Sequence, residues 1–220
     1  MRDKILIHTC QKRRWYVDEF LVPSLKEQGI ENISIYEDKN NNELLAFFSS
    51  LKDISCDTWH LQDDIIISSK FSERIQGYAE DEIVCAFSSM YDKNNSPGEH
   101  KTVDEMRYSF PCIRIPYEIA KYSANWFFNY AMNENEYRIV INSGRQDDNM
   151  FKEALKDYRE DVNIINLAPN LVEHIDYLIG GSLVNVQRDR DIQVKSRFWD
   201  EIELEEKLKD DLTNNLRPLF

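Results

Sequence analysis

The chain predicts an α/β protein with a mostly parallel sheet and crossover helices. Short apolar or alternating runs at Lys4 to His8, Asn32 to Tyr36 and Thr58 to Leu61 read as strands. Between them, apolar residues recur at helical spacing. Strand, helix, strand, helix, strand within about 65 residues is the pattern of parallel strands joined by helices.

Lys4 to His8 is the first strand, short and buried. Val17, Leu21 and Leu25 then mark a helix in which Pro23 predicts a kink or an early end. Gly29 is its stop. Asn32 to Tyr36 alternates and is the second strand. After the polar turn Asp38 to Asn42, Leu44, Phe48 and Leu51 mark a second helix capped by Asn41 or Asn42. Thr58 to Leu61 is the third strand, with Trp59 and His60 as strand packing, and it ends on Gln62, Asp63 and Asp64. In parallel sheets, ligands bind beyond the carboxyl ends of the strands. If the strands are neighbours, Thr9 to Arg14, Glu37 to Asn42 and Gln62 to Asp64 meet in one crevice.

The second half is less regular. Glu82 to Phe87 reads as a strand, and Tyr91 to Met106, with Pro97-Gly98, as a loop. Pro116 starts a helix in which Ile119, Tyr122, Trp126 and Tyr130 share a face. Core packing is the expected role of Trp126, Phe127, Phe128 and Tyr130, with a sugar-stacking platform as the alternative. Tyr137 to Ile141 reads as a strand. Asn142 to Asp148 is a turn into a helix with Phe151, Ala154, Leu155 and Tyr158 on its core face. Val162 to Leu167 is a late strand, and Glu201 to Leu216 an acidic, exposed helix.

Composition bounds the function. At 220 residues, 42% of them hydrophobic, the chain can bury a core without staples. Its net charge of -13 argues against broad binding to nucleic-acid backbones, which needs clustered Lys and Arg. Cys10, Cys56, Cys85 and Cys112 have neither zinc-ligand nor redox spacing, so free thiols are expected. The start carries too short an apolar run for a signal peptide, and no run reaches the length of a transmembrane helix. A cytoplasmic protein with no membrane span is the expectation.

Asp63-Asp64 carries the most chemistry. Acids are disfavoured in strands and costly to bury unpaired. A pair at a strand end therefore faces a divalent cation or another strong positive partner, unless it is simply a polar turn. Magnesium and manganese prefer such oxygen ligands and often share them with substrate phosphates. Asp147 and Asp148 open a later helix, where acids also serve as caps favoured by the helix dipole. Lys12-Arg13-Arg14 is either a solvated loop or a set of phosphate ligands.

The order of these residues carries a resemblance. A Thr and Arg cluster follows the first strand, Asp38 follows the second, and Leu61-Gln62-Asp63-Asp64-Ile65 ends the third. Asp147-Asp148 opens a later helix, and Pro169-Asn170-Leu171-Val172-Glu173-His174 comes near the end. Over residues 4 to about 184, the chain resembles GT-A-fold nucleotide-sugar glycosyltransferases of the family 2 and lipopolysaccharide type. Leu61 to Ile65 is similar to their metal-binding acidic motif, with Gln62 where the family carries an acid. Pro169 to His174 is similar to their Pro-Ser-Leu-Val-x-His segment.

The resemblance implies a GT-A (Rossmann-like) domain over 1–184, with helices flanking a mostly parallel central sheet. Residues 185–220 would form a partly helical C-terminal extension. It implies Asp64 and His174 as ligands of Mn2+ or Mg2+. Thr9, Arg13, Arg14, Asp38, Gln62 and Asp63 would bind a nucleotide-sugar donor, with a UDP-sugar favoured. Asp148, with Asp147 beside it, would be the base that deprotonates an acceptor hydroxyl in an inverting reaction. The acceptor is a glycan or another hydroxyl compound. Hydroxylated DNA bases are an alternative that needs a local basic strip, with Arg188, Arg190, Lys195 and Arg197 as its members. Gln62 also permits a catalytically inactive nucleotide-binding module. A nucleotidyltransferase is disfavoured, because Thr9 to Arg13 contains no glycine.

Overall fold

The computed structural model describes residues 3–39, 42–87, 100–101, 103, 110–131, 147–159, 161–167, 170–175 and 179. Nine strands and six α-helical segments are described among them. The strands are β1 (Lys4–Cys10), β2 (Ile33–Asp38), β3 (Thr58–Gln62), β4 (Ile65–Ile67), β5 (Glu82–Cys85), β6 (His100–Lys101), β7 (Cys112–Ile115), β8 (Asn163–Asn166) and β9 (Val172–His174). The helices are α1 (Arg14–Tyr16), α2 (Val22–Glu27), α3 (Glu43–Asp53), α4 (Phe71–Arg74), α5 (Tyr117–Ala131) and α6 (Asp147–Tyr158).

Seven strands form one sheet in the order β2-β1-β3-β7-β5-β8-β6, and β4 and β9 form a second. Five of the seven run in one direction, with β7 and β6 reversed. The fold is thus α/β with a mostly parallel central sheet between helices. On one face, Ile5, Ile7, Trp59 and Leu61 pack with Tyr16, Val17, Leu21 and Leu25. On the other, Leu6, Ile113 and Ile115 pack with Phe48 of α3, Phe127 of α5 and Phe151 of α6.

Most predicted elements form, with local differences. A π-helical turn, Val17–Leu21, joins α1 to α2. Residues spaced four apart drift by about 40° per step on a regular helix, and the wider turn keeps Val17, Leu21 and Leu25 buried together. Pro23 does not break the run: it stands directly after the π-helical turn, where the i→i−4 ladder that its ring would interrupt is already replaced. Gly29 stops the helix at φ +77°, with Ile30 N–H donating to Leu25 O and Gly29 N–H to Lys26 O. Asn42 caps α3 through Oδ1, which accepts from Leu45 N–H at 3.0 Å.

Three departures are larger. His100–Lys101, expected in a loop, pairs with β8. Cys112–Ile115 is a central strand that the patterning does not single out, since four apolar-flanked residues carry little periodicity. In α5 the buried face is Ile119, Ala120, Ser123, Ala124 and Phe127, whereas Trp126 and Phe128 sit partly buried at its rim and Tyr130 is 52% exposed. Of the expected face, Ile119 is buried, while Tyr122, Trp126 and Tyr130 turn away from the core. Small residues let α5 lie close to α3, where Phe48 and Phe127 stack at 4.1 Å. The expected strand Tyr137 to Ile141 and the extension 185–220, with Arg188, Arg190, Lys195 and Arg197, lie outside the described residues. No described helix is long and apolar enough to cross a membrane.

Candidate functional site

β1 lies between β2 and β3 and is parallel to both, so their carboxyl ends meet. The register places Thr9 beside Glu37, Cys10 beside Asp38, and His8 beside Gln62. The three expected polar clusters thus converge. Asp63 and Asp64 occupy the short turn between β3 and β4. Both are 7% exposed, so each needs a partner.

Arg13 supplies it. Its Nη1 donates to Asp63 Oδ1 at 3.0 Å and also to Asp64 Oδ2. The Cys10 amide donates to Asp63 Oδ2 at 3.3 Å. On the other side of Asp64, His174 Nε2 lies 3.2 Å from Oδ2. The backbone holds His174 there: β9 pairs antiparallel with β4, His174 opposite Ile65, and Ile175 N–H donates to Asp64 O at 2.7 Å. Tyr16 OH donates to Ile65 O at 2.8 Å and ties the first helical run to the same turn. Residues 110 positions apart in sequence, Asp64 and His174, are thereby brought into contact by the small second sheet.

The two carboxylates differ. Burial opposes ionisation of Asp64, but His174 and Arg13 outweigh it and hold this carboxyl well below the usual range. Burial and the neighbouring Asp64 charge push Asp63 up, against the pull of Arg13. Burial also disfavours the Arg13 charge, yet Asp64 and Asp63 more than compensate and raise its pKa.

The residues fit a divalent cation of the open kind. Asp64 Oδ1 is buried with no hydrogen-bond partner among the described residues, a position left for a ligand. Those residues contain no group of three or more His, Cys, Asp or Glu side chains arranged around a metal. A cation that keeps waters and substrate phosphates as ligands does not need such a cage.

Thr9 is buried beside this centre, where its hydroxyl favours the charged form of Asp63. Arg14 faces outward, donating to Asp18 at 2.9 Å and to Glu37 Oε2 at 3.3 Å. Lys12 is exposed in the turn. Gln62 and Asp38 are half-buried at the ends of β3 and β2. Asp147 and Asp148 stand in the first turn of α6, as expected. The four cysteines are free.

Two polar features escaped the sequence reading. His8 Nε2 and His60 Nδ1 are hydrogen-bonded at 2.9 Å, and their rings stack between β1 and β3. Burial lowers His8 to about 4. Burial, with His8 adding to it, lowers His60 well below its ordinary value. Both rings are therefore neutral at pH 7, and the i,i+52 pairing leaves no local signal. Arg114, 2% exposed in β7, donates to Asp3 Oδ2 at 2.7 Å, Asp57 Oδ2 at 2.6 Å, Ala79 O at 2.9 Å and Glu82 O at 2.8 Å. An Arg within Cys-Ile-Arg-Ile was the available sign of a buried, paired cation. Apart from the crevice, a cavity of about 500 Å³ lies along α5, lined by Tyr122, Asn125, Trp126, Asn129, Tyr130 and Asp157.

No protein-family description and no curated protein matches the chain. Among solved structures, it is similar to the crystal structure of a glycosyltransferase involved in the glycosylation of the major capsid of PBCV-1. The identity is 12% and the TM-score 0.39, over 79% of this chain and 83% of that one.

Proposed function

We propose that the chain is a GT-A-type glycosyltransferase that moves a sugar from a nucleoside-diphosphate sugar, with UDP favoured, to an acceptor hydroxyl. One observation carries this reading. Two buried carboxylates, an arginine and a histidine converge beyond the carboxyl ends of three parallel strands. Asp64 and His174 would hold Mn2+ or Mg2+, which neutralises charge developing on the departing diphosphate when bound. Asp63 and Gln62 accept or donate hydrogen bonds at the donor ribose. Asp38 and Thr9, at the ends of β2 and β1, flank the base side of the crevice. Arg13 and Arg14 are the cations available to the diphosphate. Asp148, with Asp147 as its neighbour, is the base for the acceptor hydroxyl in an inverting displacement. The acceptor is a glycan or another hydroxyl compound.

Thermal shift with nucleoside diphosphates and nucleotide sugars, with and without manganese, tests the donor site. Saturation at a hundredfold excess over Kd is expected to stabilise the fold by about 2.7 kcal/mol. Asp64→Asn is expected to abolish the manganese-dependent part. No shift with any nucleotide would refute the reading. Arg13 seated on both carboxylates favours a second reading, a nucleotide-binding module without turnover. Release of free UDP from a UDP-sugar separates the two.

A further inference from the structure

We propose that Arg13 is the resting counter-cation of the Asp63–Asp64 pair, and that it leaves the pair for the donor diphosphate when a divalent cation takes Asp64 and His174. The proposal rests on the donor-site reading above and adds to it a coupling between metal and nucleotide. Arg13 Nη1 bridges Asp63 Oδ1 and Asp64 Oδ2. The same Asp64 Oδ2 lies 3.2 Å from His174 Nε2, so the Asp64 oxygen that faces His174 already carries a guanidinium. Arg13, Asp63 and Asp64 are each at most 7% exposed. In so buried a place, water screens poorly, and a dication at Oδ1 and a guanidinium at Oδ2 of one carboxylate repel strongly. The repulsion is relieved when the guanidinium moves away.

Arg13 lies in a turn and not in a strand. Arg13 closes the turn after β1, its N–H donating to Cys10 O at 3.0 Å, beside the exposed Gln11 and Lys12. A swing of the guanidinium therefore needs no change in the strands. Its planar fork matches phosphate oxygens as well as carboxylates. A bound diphosphate offers the guanidinium a new anion while the incoming cation keeps the two aspartates neutralised. Neither exchange leaves a charge unpaired. By linkage, the cation then tightens nucleotide binding by the same factor that the nucleotide tightens cation binding.

The test is Mn2+ binding followed by electron paramagnetic resonance of the free ion, with and without saturating UDP. For the natural chain, Mn2+ alone is expected to bind weakly, and UDP to tighten it by about tenfold or more. Arg13→Gln is expected to bind Mn2+ alone about tenfold tighter and to show less effect of UDP. Arg13→Lys keeps the charge, so its Mn2+ binding without UDP stays weak. The natural-chain arm stands even if Arg13→Gln fails to fold. Mn2+ binding that is indifferent to UDP, or unchanged in Arg13→Gln, overturns the proposal and leaves the donor site standing. No Mn2+ binding to any of these proteins, with or without UDP, overturns both.

Discussion

Arg13 and Arg114 are both buried, but their partners set them different tasks. Arg114 is saturated by Asp3, Asp57 and two backbone carbonyls. It stitches β7 to the amino-terminal ends of the neighbouring strands. Arg114→Leu leaves two carboxylates without their cation and is expected to cost about 3 kcal/mol in denaturant unfolding. A loss below about 0.5 kcal/mol would show that Asp3 and Asp57 are rehydrated instead. The His8–His60 pair predicts a pH dependence. Both rings bind a proton more readily unfolded than folded, so stability falls as pH drops from the ordinary 6.5 towards the folded value of about 4. The raised carboxyl of Asp63 acts in the opposite sense at low pH. His8→Leu isolates the histidine part. The loss between pH 7 and pH 4.5 is expected to shrink by about 1–2 kcal/mol, allowing for the partial exposure of His8. An unchanged pH profile would remove the pair from this role.

At the scale of elements, α5 shows how neighbours overrule a periodic pattern. Its aromatic residues invite a core face through Tyr122, Trp126 and Tyr130. The space beside α3 instead selects small residues and Phe127, whose ring stacks at 4.1 Å on Phe48. Phe127→Ala is expected to cost about 3–5 kcal/mol. Tyr130→Ala, at an exposed position, is expected to stay within about 0.5 kcal/mol. Comparable losses from the two in urea unfolding would reverse the assignment of faces. The caps of the early elements were legible for the opposite reason. Asn42 and Gly29 act on backbone groups within a few residues, so nearby sequence suffices to specify them.

Across the whole molecule, the sheet separates stability from ligand chemistry. The Arg114 network lies at the amino-terminal ends of β1 and β3, and the aspartate pair lies beyond their carboxyl ends. Arg114→Leu is therefore expected to lower stability with nucleotide Kd unchanged, whereas Asp64→Asn changes Kd. Their free energies should add within about 0.5 kcal/mol in the double variant. A larger coupling, measured by titration and unfolding, would show that the two ends communicate. The sequence by itself determined the parallel α/β start, the strand-end position of Asp63 and Asp64, and the placing of three polar clusters at strand ends, which meet because the structure makes those strands neighbours. Each follows from local periodicity and from the rule that parallel strands share an end. Only the tertiary structure decided which cation the aspartates meet and that His8 pairs with His60, and it puts His174, which the resemblance names together with Asp64, 3.2 Å from that carboxylate. Those contacts join residues about 50 to 110 positions apart. Chain closure and packing set such distances, and neither leaves a mark on neighbouring residues.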